Sequence, residues 1–99
     1  MKKVFISVGM NGRDNRDVAL DIGRAVAKIV DRYGRDVELV DNYDCVAPEN
    51  VGRLWYLGEA IKKLDGCEVC YFVKGWEKHK GCLVEMEVCK IYGIETVEE

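Results

Sequence analysis

Ninety-nine residues, 48% hydrophobic and 33% charged, give one globular domain over residues 1–99, with a thin core and little room for a second. A net charge of −3 argues against a general nucleic-acid binder, which carries a basic surplus. The apolar runs fall far short of a membrane span. Met1-Lys2-Lys3 resembles the start of a signal peptide, but Val4 to Val8 is too short for its apolar segment and no cleavage site follows. The expected location is the cytoplasm.

Five cysteines, Cys45, Cys67, Cys70, Cys82 and Cys89, are an odd count without a secretion signal, which points to free thiols. Cys67-x-x-Cys70 admits a zinc or redox reading. In a strand, however, positions three apart face opposite ways, and no second pair completes a four-ligand set. Buried, reduced cysteines are the favoured reading, with no metal and no cofactor expected.

Lys3 to Val8 is β-branched and ends at Gly9, as a central parallel strand would. The loop Gly9-Met10-Asn11-Gly12-Arg13 is either a bare turn or an anion loop, with backbone N–H groups and a forked Arg13 donor. Helix one starts at Asp14 or Asn15 and buries Val18, Ile22, Val26, Ile29 and Tyr33. Asp17, Asp21, Arg24, Lys28 and Asp31 read as its solvated face, and Gly34 as its stop. Val37 to Val40 is a short edge strand. Asp41 to Asn50 is a polar interruption with the only proline, Pro48, and either borders a site or merely connects.

Helix two spans Val51 to Leu64 with Leu54, Leu57, Ile61 and Leu64 inward, and Asp65-Gly66 ends it. Cys67 to Val73 is the third strand. A loop of lysines and glycines follows, then helix three from Gly81 to Tyr92, closed by Gly93. Ile94 to Val97 is a last strand and Glu98-Glu99 a polar end. This βαβαβαβ order with right-handed crossovers gives an α/β fold, a four-stranded parallel sheet of order 2-1-3-4 with helices on both faces. The loops after strands one and three, Gly9–Arg13 and Lys74–Gly81, then share the crevice at the switch point.

The residues Val-Phe-Ile-Ser, Gly-x-x-Gly-Arg and Val-Lys-Gly-Trp-Glu-x-x-x-Gly-Cys-x-x-Glu resemble the nucleoside 2-deoxyribosyltransferase-like superfamily. The nearest branch holds small bacterial and phage proteins with a Gly-Trp-Glu signature, and the resemblance covers nearly the whole chain. It implies a small flavodoxin-like, Rossmann-like three-layer sandwich. It also implies an enzyme that transfers 2-deoxyribose between bases or hydrolyses the N-glycosidic bond of deoxynucleoside 5′-monophosphates. The family's nucleophilic glutamate falls on Glu85. A carboxylate there can attack C1′ as the base leaves and form a glycosyl ester, and a helix N-terminus would keep it ionised. The other reading of Glu85 is a surface glutamate beside Glu87. Ser7 to Arg13 is similar to the hydrolases' phosphate loop.

Two positions depart from the pattern. An aspartate that serves the leaving base in transferases is replaced by His79, and a strand-one tyrosine that holds the nucleophile is matched by Phe5. His79 is either an exposed loop residue or the acid that protonates the base. Lys74, Lys78 and Lys80 are either a solvated run or, with Arg13, a grip on a 5′-phosphate. Trp76 stacks on a base, or packs on helix two or a second subunit. Trp55-Tyr56 is core or a dimer face.

The expected site is thus Glu85 and His79 for catalysis, with Ser7, Gly9, Gly12, Arg13, Gly75, Trp76, Lys78 and Gly81 for substrate. The expected partner is a nucleoside or nucleotide, with no nucleic-acid polymer and no membrane, in a homodimer or higher homo-oligomer. The alternative is a non-catalytic nucleotide-binding or regulatory module of bacterial or phage origin, motivated by the missing aspartate and tyrosine. A third possibility is an interaction protein that buries Trp55, Tyr56 and Trp76 between copies.

Overall fold

The first apolar run forms strand β1, Lys2–Ser7, at the centre of the molecule. The computed structural model describes residues 1–43 and 45–99; Asp44, within the Asp41–Asn50 interruption, lies outside them. The elements that follow are α1 (Asn15–Tyr33), β2 (Val37–Val40), α2 (Arg53–Leu64), β3 (Val69–Phe72), α3 (Lys80–Tyr92) and β4 (Glu95–Glu98). The strands pair in parallel in the order β2-β1-β3-β4. This is the expected α/β sandwich, small and flavodoxin-like, with one helix on one face of the sheet and two on the other.

Alternation along the strands divides the core. Val4, Ile6 and Val8 join Val69, Tyr71 and Val73 beneath Val18, Ala25 and Ile29 of α1. Phe5, Cys70 and Phe72 point the other way, onto Ala60 and Leu64 of α2 and Met86 and Cys89 of α3. Capping fixes α1: the Asp14 carboxylate accepts from the Arg16 N–H at 2.8 Å, and Gly34, at φ 84°, ends the helix.

Three expectations are corrected. α2 begins at Arg53 rather than Val51, and Leu54 is 80% exposed instead of inward. Its inner stripe centres on Ala60 and Leu64, and at ~100° per residue Leu54 falls about 100° to the side of it. Cys67 and Cys70 do not face opposite ways: Cys67 precedes β3, where two-residue alternation does not yet hold, and both sit in the α2–α3 core. All five cysteines are free thiols. Finally, Glu99 is not part of a loose polar end. β4 runs to Glu98, and the Glu99 N–H donates to the Phe72 carbonyl at 2.9 Å, continuing the sheet.

Among the described residues, no helix is long and apolar enough to cross a membrane.

Candidate functional site

The site follows from two periodicities laid side by side. Phe5 and Ser7 on β1, and Gly9 just beyond its end, step up one face of the sheet toward its carboxyl edge. α3 runs down against them, presenting His79, Cys82, Glu85, Met86 and Cys89. The result is a ladder: Phe5 with Met86 and Cys89 at the bottom, Ser7 with Glu85 in the middle, and Gly9 with His79 at the top.

In the middle rung the Ser7 hydroxyl donates to Glu85 Oε1 at 2.6 Å, a buried contact between residues 78 apart in the chain. Ser7 is 1% exposed and Glu85 7%. Burial pushes the Glu85 carboxyl up to about 7, against the opposing pull of the Ser7 hydrogen bond. The expectation that the helix dipole keeps Glu85 ionised is therefore corrected. Glu85 is the sixth residue of α3, and the dipole fades beyond the first turn while desolvation does not. Cys82, one turn earlier, is pushed up to about 11 by burial, with Ser7 acting in the opposite direction. It is therefore a neutral thiol at pH 7.

At the top rung, the His79 ring lies on Gly9. A Cβ on Gly9 would overlap three of its ring atoms, so the glycine here serves packing rather than an unusual backbone angle. His79 also precedes α3 as its N-cap but supplies no side-chain hydrogen bond, which leaves the first N–H groups of α3 uncapped. The loops after β1 and β3 thus meet at the switch point, as the topology required.

The remaining expected residues divide. Gly12 (φ 76°) and Gly75 (φ 91°) both adopt left-handed angles that shape the two loops. Trp76 opens a 3-10 turn, Trp76–Lys78, and packs on Phe72 with ring centroids 5.1 Å apart, so its ring belongs to the edge of the core. Lys78 is exposed, and Gly81 lies in the first turn of α3 with open space around it. Arg13 is committed elsewhere: it donates to Asp21 at 2.6 Å and to the Gly9 carbonyl at 2.9 Å. It braces the β1 loop to α1.

Sequence reasoning missed two features. The hydroxyl that reaches Glu85 comes from Ser7, not from the Phe5 position, which is filled by a core ring. The signal was present, since Ser7 is two residues beyond Phe5 and so shares its face. The other feature is Glu99, whose side chain is 4% exposed on the α1 face. It accepts from Arg24 Nη2 at 2.6 Å, Tyr71 Oη at 3.0 Å and the Lys74 N–H at 3.0 Å, with Lys28 Nζ at 3.3 Å. Burial alone would raise this carboxyl, but these donors outweigh it and hold it down at about 2. Nothing in periodicity marks a glutamate after a strand as buried.

A cavity of about 280 Å³ opens beside the β1 loop, lined by Met10, Asn15, Val18 and Tyr43. A larger one, about 460 Å³, lies between β2 and α2 with mixed charges from Lys3, Glu38, Lys63 and Asp65, away from both loops. Among the described residues no group of three or more His, Cys, Asp or Glu could hold a metal ion.

Fold and site together describe a small doubly wound α/β domain with a buried carboxylate under the two switch-point loops. Compared with family models, curated proteins and solved structures, the chain matches none.

Proposed function

We propose that the protein acts on the N-glycosidic bond of a nucleoside or deoxynucleotide, with Glu85 as nucleophile, in the manner of the 2-deoxyribosyltransferases and N-hydrolases it resembles. The observation that carries this reading is a glutamate buried at the switch-point crevice, touched by one hydroxyl and raised to about 7. A structural carboxylate is normally paired with cations; one kept in apolar surroundings near neutrality suits reaction. Once ionised, a Glu85 oxygen attacks C1′ of the sugar. The C1′–N bond breaks, its electron pair stays on the base nitrogen, and a proton from His79 neutralises it. Water then attacks C1′ of the glycosyl ester, the C1′–O bond to Glu85 breaks, and the proton lost by the water returns to His79, which frees the sugar and restores both side chains.

The uncapped N-terminus of α3, with Lys78 and Lys80 beside it, favours an anionic group on the substrate. Arg13, bound to Asp21, supplies only loop geometry. A homodimer fits the exposed outer face of α3, where Leu83, Val84, Ile91 and Tyr92 recur at helical spacing. Five free cysteines fit the cytoplasm.

The test is product chromatography after long incubation with deoxynucleosides, ribonucleosides and their 5′-monophosphates, wild type beside Glu85→Gln. Free base from wild type alone supports the reading; base from both, or from neither, sinks it.

One observation favours a second reading, a non-catalytic nucleotide-binding module: Glu85 is nearly closed off, with His79 seated on Gly9 above it. That reading expects nucleotides to raise the melting temperature with no product formed.

A further inference from the structure

We infer that Ser7 is the positioning residue of this site: its hydroxyl pins Oε1 of Glu85 and leaves Oε2 as the oxygen that attacks. This rests on the function proposed above, and goes further by assigning separate roles to the two carboxylate oxygens.

The argument begins with rigidity. Ser7 ends a central strand opposite Phe72 of β3, and its carbonyl accepts from the Val73 N–H at 2.9 Å. Its hydroxyl therefore projects from a fixed backbone, with χ1 its main freedom. A 2.6 Å hydrogen bond from that hydroxyl selects one rotamer of Glu85, whose flexible side chain would otherwise sample several. The hydroxyl has one proton, and giving it to Oε1 leaves nothing for Oε2. Among the described residues no fully buried side-chain oxygen lacks a partner. Oε2, which takes no donor from those residues, is thus the oxygen that reaches the surface.

The groups around this pair reinforce the assignment. The titratable side chains packed around the pair are the thiols of Cys82 and Cys89 on α3 and of Cys70 on β3, with the His79 ring above them on Gly9. Ser7 is the one hydrogen-bonding group that shifts Glu85, and it favours the ionised form. A reactive carboxylate with one oxygen bound and one open, in an apolar wall, attacks from a single direction.

Ser7→Ala removes the donor and little volume. A hydrogen bond to a charged group of this kind predicts a fall in kcat on the order of 10- to 100-fold with KM little changed. The acid limb of the pH–rate profile should move up by about one to two pH units, and Ser7→Thr, which keeps the hydroxyl, should restore it. Carbon-13 NMR titration of the Glu85 carboxyl reads the same shift without turnover. A Ser7→Ala variant whose Glu85 titrates as in wild type overturns the inference, as does an unchanged kcat. If wild type releases no base from any substrate, yet Ser7→Ala shifts the Glu85 titration, the reaction is wrong and the Ser7–Glu85 coupling stands.

Discussion

Two glutamates sit on opposite faces of the same sheet and are held in opposite ways. Glu99, on the α1 face, is gripped by Arg24, Lys28, Tyr71 and the Lys74 N–H, and its carboxyl is held at about 2. Glu85, on the α3 face, has a single neutral hydroxyl as donor and is raised to about 7. Both are nearly buried, so burial alone does not decide what a carboxylate does. The number and charge of its donors does. Glu99 is ionised at any physiological pH and fastens β4 to α1 and to the start of the site loop. Glu85 is left without a counter-charge, which costs stability.

The largest expected effect separates the two in function. Glu85→Gln should lower N-glycosidic turnover by on the order of 10³-fold or more, as removal of a nucleophile does. Glu99→Gln should keep turnover within about tenfold, because Glu99 touches only the base of the loop at Lys74. Equal losses in the two variants, measured by initial rates on the same substrate, would abolish the distinction.

The comparison also marks how far the sequence could be read. Strand order, the helix boundaries within about two residues, and the meeting of the two loops were legible because β-branched runs, Gly34 and Gly93 signal locally. The place of Glu85 on α3, about one turn inside its start, was legible from the helix pattern. Its protonation was not: the dipole is a local property, whereas desolvation depends on Ser7, Cys82 and the apolar rung around Phe5. Glu99 was illegible for the same reason. Its partners lie 71 to 75 residues away on α1 and 25 to 28 away on β3 and the loop that follows, and polar residues on a helix face look solvated until something packs on them.

Stability against pH should show the two residues with opposite slopes. For Glu85 the folded carboxyl lies above its ordinary 4.5, so the folded state binds more protons between pH 4.5 and 7, and stability falls as pH rises through that window. Glu85→Gln removes this penalty. The shift corresponds to about 3 kcal/mol, less about 1 kcal/mol for burying an amide N–H₂, so the variant should be about 2 kcal/mol more stable at pH 8 and about 1 kcal/mol less stable near pH 4. Urea denaturation at both pH values checks it, and a destabilised variant at pH 8 would show that Glu85 is a stabilising residue after all.

For Glu99 the sign reverses. Its folded carboxyl lies below 4.5, so its stabilisation is complete above that pH and lost as pH falls through about 2. Because Arg24 and Lys28 are 43% and 54% exposed, solvent screening reduces the effect, and Glu99→Gln should cost about 1–2 kcal/mol at pH 7. The loss should shrink toward zero by pH 2. A loss that persists unchanged at that pH would mean packing, not charge, holds Glu99 in place.

The smallest effect concerns what covers Glu85 at the top of its rung. Gly9 gives His79 its seat above the Ser7–Glu85 rung, and a methyl group there cannot coexist with the ring. His79 is half-buried at the head of α3, so its ring has a way out to solvent at a cost of about 1 kcal/mol. Gly9→Ala should then admit water to Glu85 and lower its carboxyl toward the ordinary value, because desolvation is the first cause of the shift. Glu99, on the other face, should titrate as before. Carbon-13 titration of both carboxyls in one sample makes each the control for the other. If Glu85 stays near 7 with His79 displaced, its protonation is set by the thiols and Phe5 beneath it, and the His79 ring is not the cover of the site.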